Sequence, residues 1–329
     1  MDLKKVKISG IGKAVPERIM TNDDLAKIVD TSDEWITQRT GIKERRVSDD
    51  KTATSDLCIR AAEDAIKMSG IDKDEIDFII VGTVTPDYFF PSTAGIVQKA
   101  LGIGKCAILD IEAGCSGFLY ALAVARRFIA FGGYRHILAI GAETLTKIIN
   151  WEDRNTCVLF GDGAGAAVLS PADSESCILS DALSGNGNLG DLLIMHGGGS
   201  RNPISQKILD DKSATICMEN GRDIFKNAVV SMYDMAHETL NIAGVTTEDV
   251  KWLIPHQANL RIMDSVIKKL GIEKEKLLVD LEKYGNTSAA SIPITLTDFV
   301  ENGTIKKGEL VLLVAFGAGF TSAGTLLRW

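Results

Sequence analysis

Apolar and polar positions along this chain fall into blocks whose period changes, and the changes outline strands and helices. Val6 to Ile11 has the content of a first strand, and Asp33 to Ile42 that of an amphipathic helix. Ser55 to Ser69 is a second amphipathic helix, running into GIDKDEIDFIIVGTVTP, a strand that opens into a proline-containing loop. Ala107-Ile108-Leu109 reads as a short buried strand, Gly114-Cys115-Ser116-Gly117 as a tight turn, and Phe118 to Phe131 as a helix stopped by Gly132-Gly133.

The pattern occurs twice. GIDKDEIDFIIVGTVTP overlays GVTTEDVKWLIPHQAN without a gap, Gly70 on Gly244 and Ile79-Ile80 on Leu253-Ile254. Leu101-Gly102-Ile103 recurs as Leu270-Gly271-Ile272, which puts Cys115 and Asn286 in similar turns, and HILAIGAE at 136–143 corresponds to LVLLVAFGAG at 310–319. So long a period argues for a duplicated domain rather than a solenoid. The halves are expected at 1–172 and 173–329, the second opening with a glycine-rich covering segment, residues 173–218. Alternating strands and helices predict an α/β fold with mostly parallel sheets, helices on their faces and ligands at the carboxyl ends of the strands. Gly161-Asp162-Gly163-Ala164-Gly165-Ala166 fits a dinucleotide-loop pattern but leads into Ala167-Val168-Leu169, another strand, so a close backbone crossing is expected there.

The chain has 329 residues, 45% of them hydrophobic, enough for a large core. A formal net charge of −8 disfavours nucleic acid as a partner. The start, MDLKKVKISGIG, has no apolar signal core and no run reaches the roughly 18 apolar residues of a membrane span, so the expected location is the cytoplasm, with no membrane partner. Six cysteines without CxxC pairing or metal-ligand spacing to the four histidines are expected to be reduced thiols, with no metal.

Cys115 is the first candidate for chemistry. A thiol at a helix start meets unpaired N–H groups and the positive end of the dipole, which favour the nucleophilic thiolate. The competing reading is an inert, buried small hydrophobe. Of the histidines, His136 and His237 lie within predicted elements and His196 in the glycine-rich loop, whereas His256 follows a strand end. Asn286 sits in a turn of small residues, where an N-cap is the alternative reading. Trp35 with Arg39 four residues on either covers the core or offers a flat, cationic surface to a base and phosphates.

At this point the chain resembles the β-ketoacyl-acyl carrier protein synthase III family of thiolase-like condensing enzymes. The likeness spans the chain and rests on DEWITQRTGI at 33–42, FFPSTA at 89–94, GCSGFLYAL at 114–122, DRNTCVLFGDGAGAAVL at 153–169, IPHQANLRI at 254–262, YGNTSAASIP at 284–293 and AFGAGFTSAG at 315–324. It implies a duplicated five-layer α/β/α/β/α structure, usually a homodimer. It further implies that Cys115 accepts an acyl group from a short acyl-CoA, and that His256 and Asn286 stabilise the enolate left when malonyl-acyl carrier protein loses CO₂. Backbone N–H groups of Cys115 and of Gly317, Ala318 and Gly319 would face the oxyanion.

By the same likeness Trp35 and Arg154 sandwich the CoA adenine, Arg39 holds phosphate, and Gly221 and Asn259 flank the pantetheine arm. Phe90 reaches the neighbouring subunit's acyl pocket. Lys226, Arg261, Lys268 and Lys269 receive the acidic carrier protein, the alternative for them being an ordinary solvated face. CoA enters as part of a substrate, so no cofactor is implied. Ala318 and Thr321-Ser322-Ala323 depart from the family pattern beside the acyl site and leave the primer open. Three other uses of the same residues remain at this stage: acyl transfer to another acceptor or a polyketide starter, thioester hydrolysis by Cys115 and His256, and carrier binding without catalysis.

Overall fold

The computed structural model describes residues 3–172 and 175–329. Up to Pro171 the elements are β1 (Val6–Ala14), β2 (Ile19–Thr21), α1 (Asn22–Leu25), α2 (Asp33–Thr40), β3 (Glu44–Arg46) and α3 (Thr54–Ser69). There follow β4 (Phe78–Gly82), α4 (Thr93–Leu101), β5 (Ala107–Ile111), α5 (Gly117–Ala130), β6 (Ile137–Thr144) and β7 (Asp162–Pro171). Beyond these come β8 (Cys177–Gly185), β9 (Leu193–Met195), α6 (Gln206–Asp210), β10 (Ile216–Met218), α7 (Gly221–Ala243) and β11 (Trp252–Pro255). The last are α8 (Leu260–Leu270), α9 (Leu281–Tyr284), α10 (Ser291–Glu301), β12 (Leu310–Gly317) and β13 (Thr321–Arg328).

Two sheets carry the repeat. One has the order β1-β7-β6-β4-β5 and the other β8-β13-β12-β11, so equivalent strands take equivalent places. Gly70 and Gly244 end α3 and α7 in the same left-handed conformation, φ 68° and 67°, which a side chain would strain. Helices α3 and α4 pack outside the first sheet, α7 outside the second with α8 against it, and α5 and α10 lie between the sheets, giving five layers. Phe118, Leu119 and Leu122 of α5 meet Ile292 and Leu296 of α10 there, fully buried. Each such side chain contributes about 1.5–3 kcal/mol through removal from water.

Four sequence expectations change. The sheets are mixed rather than mostly parallel: β4 runs parallel to β5 and β6, but β7 runs antiparallel to β6 and β1. The cause is that β6 reaches β7, and β12 reaches β13, without a crossover helix. Strand β5 is not buried: it lies at the sheet edge, with Ile108 43% and Leu109 39% exposed. The glycine-rich segment is not all cover, because Cys177–Gly185 is a strand of the second sheet, whereas residues 173–174 lie outside the described residues. Asn286, which the overlay on Cys115 places after a strand, follows the short helix α9 instead, although it makes a one-residue bridge to Phe160. Residues 162–171 do form a strand, and a Cβ at Gly165 would come within 2.6 Å of Pro293, a close crossing as expected. No described helix is long and apolar enough to cross a membrane.

Candidate active site

Cys115 occupies a single helical turn, Gly114–Ser116, between edge strand β5 and the buried helix α5. The turn lies directly on the end of β12: a Cβ at Gly317 would stand 2.5 Å from the Cys115 nitrogen, so only glycine permits this approach. Ala318 has no such demand, since in this loop the left-handed φ of 123° belongs to Gly319, which explains how alanine is accommodated there. Thr321 Oγ1 donates to the Ala113 carbonyl at 2.7 Å and ties the two backbones together. The dipole argument does not decide the thiol's resting state. Burial pushes its pKa up to about 12, against the backbone N–H groups of Cys115 and Ala318 that favour the thiolate.

His256 follows β11, its own N–H donating to the Val314 carbonyl at 2.8 Å, and its ring stands edge-on to Phe316. It is completely buried, and burial pulls its pKa down to about 3, so the ring is neutral near pH 7. Nδ1 lies 2.8 Å from Ser291 Oγ, which also accepts the Gln257 N–H at 3.3 Å. A hydroxyl that accepts from Gln257 and gives its own proton to Nδ1 leaves the hydrogen on Nε2. That nitrogen is buried with no protein partner. In Asn286, Oδ1 accepts the Ser288 N–H at 2.9 Å, which commits the oxygen and leaves the amide N–H₂ as the end available to a ligand. Ser291→Ala removes the bond that selects the tautomer. With His256 in the enolate-stabilising role that the resemblance implies, condensation is expected to fall about fivefold to tenfold, the worth of one neutral hydrogen bond, with acyl uptake unchanged; an unaltered condensation rate would show that Ser291 does not set the tautomer.

Glu143 lies behind Cys115 and was not singled out from sequence, although it is the one carboxylate in strand β6. It is fully buried and accepts from Thr85 Oγ1 at 2.6 Å, Thr83 Oγ1 and Val84 N at 3.2 Å, and Ser288 Oγ at 3.2 Å. Burial raises its pKa to about 8 despite these donors. Between its ordinary value of 4.5 and about 8, the folded chain therefore keeps a proton that the unfolded chain releases, and stability falls as pH rises. Asp280, raised by burial to about 7, tilts the profile the same way over a lower window. Glu143→Gln should flatten the fall in melting temperature, most clearly between about pH 7 and 8; an unchanged slope would mean that this carboxyl is ionised in the fold.

Two cavities meet at Cys115. One, of about 450 Å³, is lined by Cys115, His256, Asn286 and Phe316 at its inner end and by Trp35, Arg39, Arg154, Gly221, Asn259 and Arg261 farther out. Arg222, which lies outside the sequence motifs, lines it too. The other, of about 590 Å³, is largely apolar, with Leu145, Ile148, Phe160, Leu193 and Ile216 beside Cys115, Ala318 and Gly319. Arg39 stacks on Trp35 with its guanidinium carbon 4.4 Å from the ring centroid, and Arg154 does so at 5.1 Å. A planar ligand between Trp35 and Arg154 needs about 7 Å, two layers of about 3.5 Å each, so in this structure the slot is closed. Arg154 is held there by the Asp30 carbonyl at 2.9 Å.

Phe90 is not brought to Cys115. It is 86% exposed, and its neighbour Phe89 lines the apolar cavity instead. Lys226 on α7 and Arg261, Lys268 and Lys269 on α8 are all exposed, with Lys269 lying over the Tyr233 ring at 3.9 Å.

Comparison with known proteins places this arrangement. The pattern of the family described as 3-Oxoacyl-[acyl-carrier-protein (ACP)] synthase III matches residues 109–187, and that of its C-terminal part matches residues 240–329. The chain is 52% identical over 322 residues to the beta-ketoacyl-[acyl-carrier-protein] synthase III of Caldanaerobacter subterraneus subsp. tengcongensis, covering 98% of this chain and 97% of that one. The crystal structure of 3-oxoacyl-[acyl-carrier-protein] synthase III from Aquifex aeolicus VF5 superimposes with a TM-score of 0.92 at 46% identity, covering 98% and 100% of the two chains. The priming beta-ketosynthase of the R1128 polyketide pathway gives 0.92 at 33% identity, covering 99% and 97%. With identity of this order along nearly its whole length and the same thiolase-like fold, the chain belongs to the 3-oxoacyl-[acyl-carrier-protein] synthase III family, the acyl-condensing transferases that initiate fatty acid synthesis.

Proposed function

We propose that this chain joins a short acyl group from acyl-CoA to malonyl-acyl carrier protein through an acyl-Cys115 intermediate. The observation that carries this reading is the position of Cys115 where the two cavities meet. A CoA thioester lying in the arginine-flanked cavity presents its carbonyl to the thiol, and the acyl chain continues into the apolar one. Sγ bonds to the carbonyl carbon, the C–S bond to CoA breaks, and the thiol proton leaves with CoA. Storing the acyl group divides one hard condensation into two easier steps.

Malonyl thioester then takes the place of CoA. As its C–COO⁻ bond breaks, the electron pair moves onto the thioester oxygen, where Nε2–H of His256 and the amide of Asn286 donate. Because both groups are neutral and buried, they stabilise this charge by hydrogen bonding without handing a proton to the enolate carbon. The enolate carbon attacks the acyl carbon on Cys115, N–H groups of Cys115 and of Gly317–Gly319 face the resulting oxyanion, and collapse returns Sγ, which is reprotonated from solvent. No step calls on a cofactor.

Trp35, Arg39 and Arg154 hold the nucleotide end of CoA after Arg154 leaves the indole, with Gly221 and Asn259 along the arm. The exposed cations Lys226, Arg261, Lys268 and Lys269 receive the acidic carrier protein, which meets an enzyme that is itself acidic overall. The two halves divide at 172/173, and the protein works in the cytoplasm.

A homodimer is also proposed. It is supported by the apolar edge strand β5 and by exposed Tyr88, Phe89 and Phe90 beside it, a surface of a kind that invites pairing. In the dimer Phe90 borders the partner's acyl cavity. Phe90→Thr is therefore expected to shift the preferred primer length, read as relative kcat/KM across acyl-CoAs of increasing chain length; the same ranking as wild type would remove Phe90 from the acyl site. The reaction as a whole is tested by supplying acyl-CoA and malonyl-acyl carrier protein together. Release of CO₂ and free CoA in equal amounts supports the reading, and thioester loss without malonyl-acyl carrier protein would identify a hydrolase.

A further inference from the structure

The segment over the two cavities holds a second set of chemical groups. Among the described residues, His196, Cys217 and Glu219 bring an imidazole nitrogen, a thiol sulfur and a carboxylate oxygen within 4.8 Å of one another. His196 Nε2 is 3.1 Å from Glu219 Oε1, and Cys217 Sγ is 3.3 Å from the same oxygen. Around a tetrahedral zinc ion, with bonds of about 2.3 Å to sulfur and about 2.0–2.1 Å to nitrogen and oxygen, neighbouring ligand atoms stand about 3.3–3.6 Å apart. The two pairs that share Glu219 are within a few tenths of an ångström of that span before any ion enters, and the His196–Cys217 pair lies within 4.8 Å. As a hydrogen-bonded set it places two donors on one carboxylate oxygen, and an ion replaces those two bridging hydrogens with a single centre.

The main chain holds the donors in place. Strands β9 and β10 pair antiparallel with Cys217 opposite Ile194, so His196, just past the end of β9, comes beside Cys217. Asn202 Nδ2 donates to the His196 carbonyl at 2.8 Å, and Glu219 N–H donates to the Leu192 carbonyl at 3.1 Å. This close set is invisible in the sequence, where His196 and Cys217 are far apart and form no ligand motif.

We propose that His196, Cys217 and Glu219 form a site for a borderline-soft divalent cation of the zinc class, with water as fourth ligand. Thiolate and imidazole select such an ion over magnesium or calcium, which prefer all-oxygen shells. Binding uses the Nε2 lone pair of the tautomer that carries its hydrogen on Nδ1, and displaces the thiol proton to solvent, so no oxidant or reductant is needed. The site bridges two parts of the cover: Met195, next to His196, lines the apolar cavity, and Glu219 leads into Asn220, whose side chain caps α7 at Gly221. A bound ion fastens β9–β10 to the start of α7 and stiffens the roof over both cavities. That consequence rests on the proposed use of the cavities, whereas metal binding itself does not.

The test is titration of the purified full-length chain with cobalt(II), followed spectroscopically, then displacement by zinc. The expected result is one equivalent of a thiolate-to-cobalt charge-transfer band with tetrahedral visible bands, retained in Cys115→Ala, lost in Cys217→Ser, and requiring at least about tenfold more cobalt in His196→Ala and Glu219→Gln. Zinc should raise the melting temperature of the wild type and not that of Cys217→Ser. No charge-transfer band, a band that survives Cys217→Ser, or one that disappears in Cys115→Ala would overturn the proposal. If Cys217→Ser does not fold, the His196→Ala/Glu219→Gln double variant decides: full cobalt affinity there is equally fatal. Because Cys115→Ala is inactive by the proposed mechanism but should bind cobalt normally, failure of the metal site and failure of the catalytic reading are separately visible.

Discussion

Cys115→Ala is expected to take up no acyl group from any acyl-CoA and to lose condensation by on the order of 10⁴-fold or more, the scale on which removal of a nucleophile acts. The prediction rests on position rather than on a thiol activated in the resting enzyme. Burial holds the thiol protonated, and its pKa of about 12 leaves almost no thiolate at neutral pH. The helix start and the Ala318 N–H therefore act when charge develops on sulfur during attack, not before. His256 and Asn286 do not depend on the sulfur for their positions: Ser291 and the Ser288 N–H hold them. The variant should accordingly still decarboxylate malonyl-acyl carrier protein without forming a carbon–carbon bond. Loss of decarboxylation together with acylation would point to a collapsed site instead.

The second large effect is the converse. His256→Ala and Asn286→Ala should each still acylate Cys115 at close to the wild-type rate, while condensation falls by about 10²–10³-fold, the usual cost of losing one preorganised donor to an oxyanion. Neither residue has a part in the first chemical step of the mechanism above, and the pKa of about 3 makes His256 a poor base for the thiol. Single-turnover measurement of the two half-reactions separates these cases. Slow acylation in His256→Ala would mean that the imidazole takes the thiol proton, and normal condensation in either variant would remove that residue from the enolate site.

How far the sequence reached depended on whether a feature was local. The ungapped repeat made the helix ends at Gly70 and Gly244 and the paired strands β4 and β11 readable, because left-handed caps and apolar runs leave a residue-level signature. It did not reveal strand direction, which is set by whether a helix intervenes between β6 and β7. Nor could Ala107-Ile108-Leu109 be placed at an edge: an apolar triplet looks the same inside a sheet and beside an absent neighbour. At the site, the turn around Cys115 and the strand end before His256 were visible as motifs, but the balance between dipole and burial at the thiol was not, since burial depends on residues 200 positions away. The closed Trp35–Arg154 slot, the hydroxyl of Ser291 behind His256, and Glu143 beneath Ser288 are all tertiary facts. Of these only Glu143 left a trace, a lone carboxylate in an otherwise apolar strand.

A covalent acyl enzyme on Cys115 that is discharged by carbon–carbon bond formation is visible to intact mass and peptide mapping. The protein is exposed to a panel of short acyl-CoAs and then to malonyl-acyl carrier protein. The expected result is one acyl mass per chain, mapped to Cys115, which disappears on the second addition as a β-ketoacyl carrier forms. No adduct across the panel, an adduct on another residue, or an acyl-Cys115 that only hydrolyses or passes to a different acceptor would contradict it.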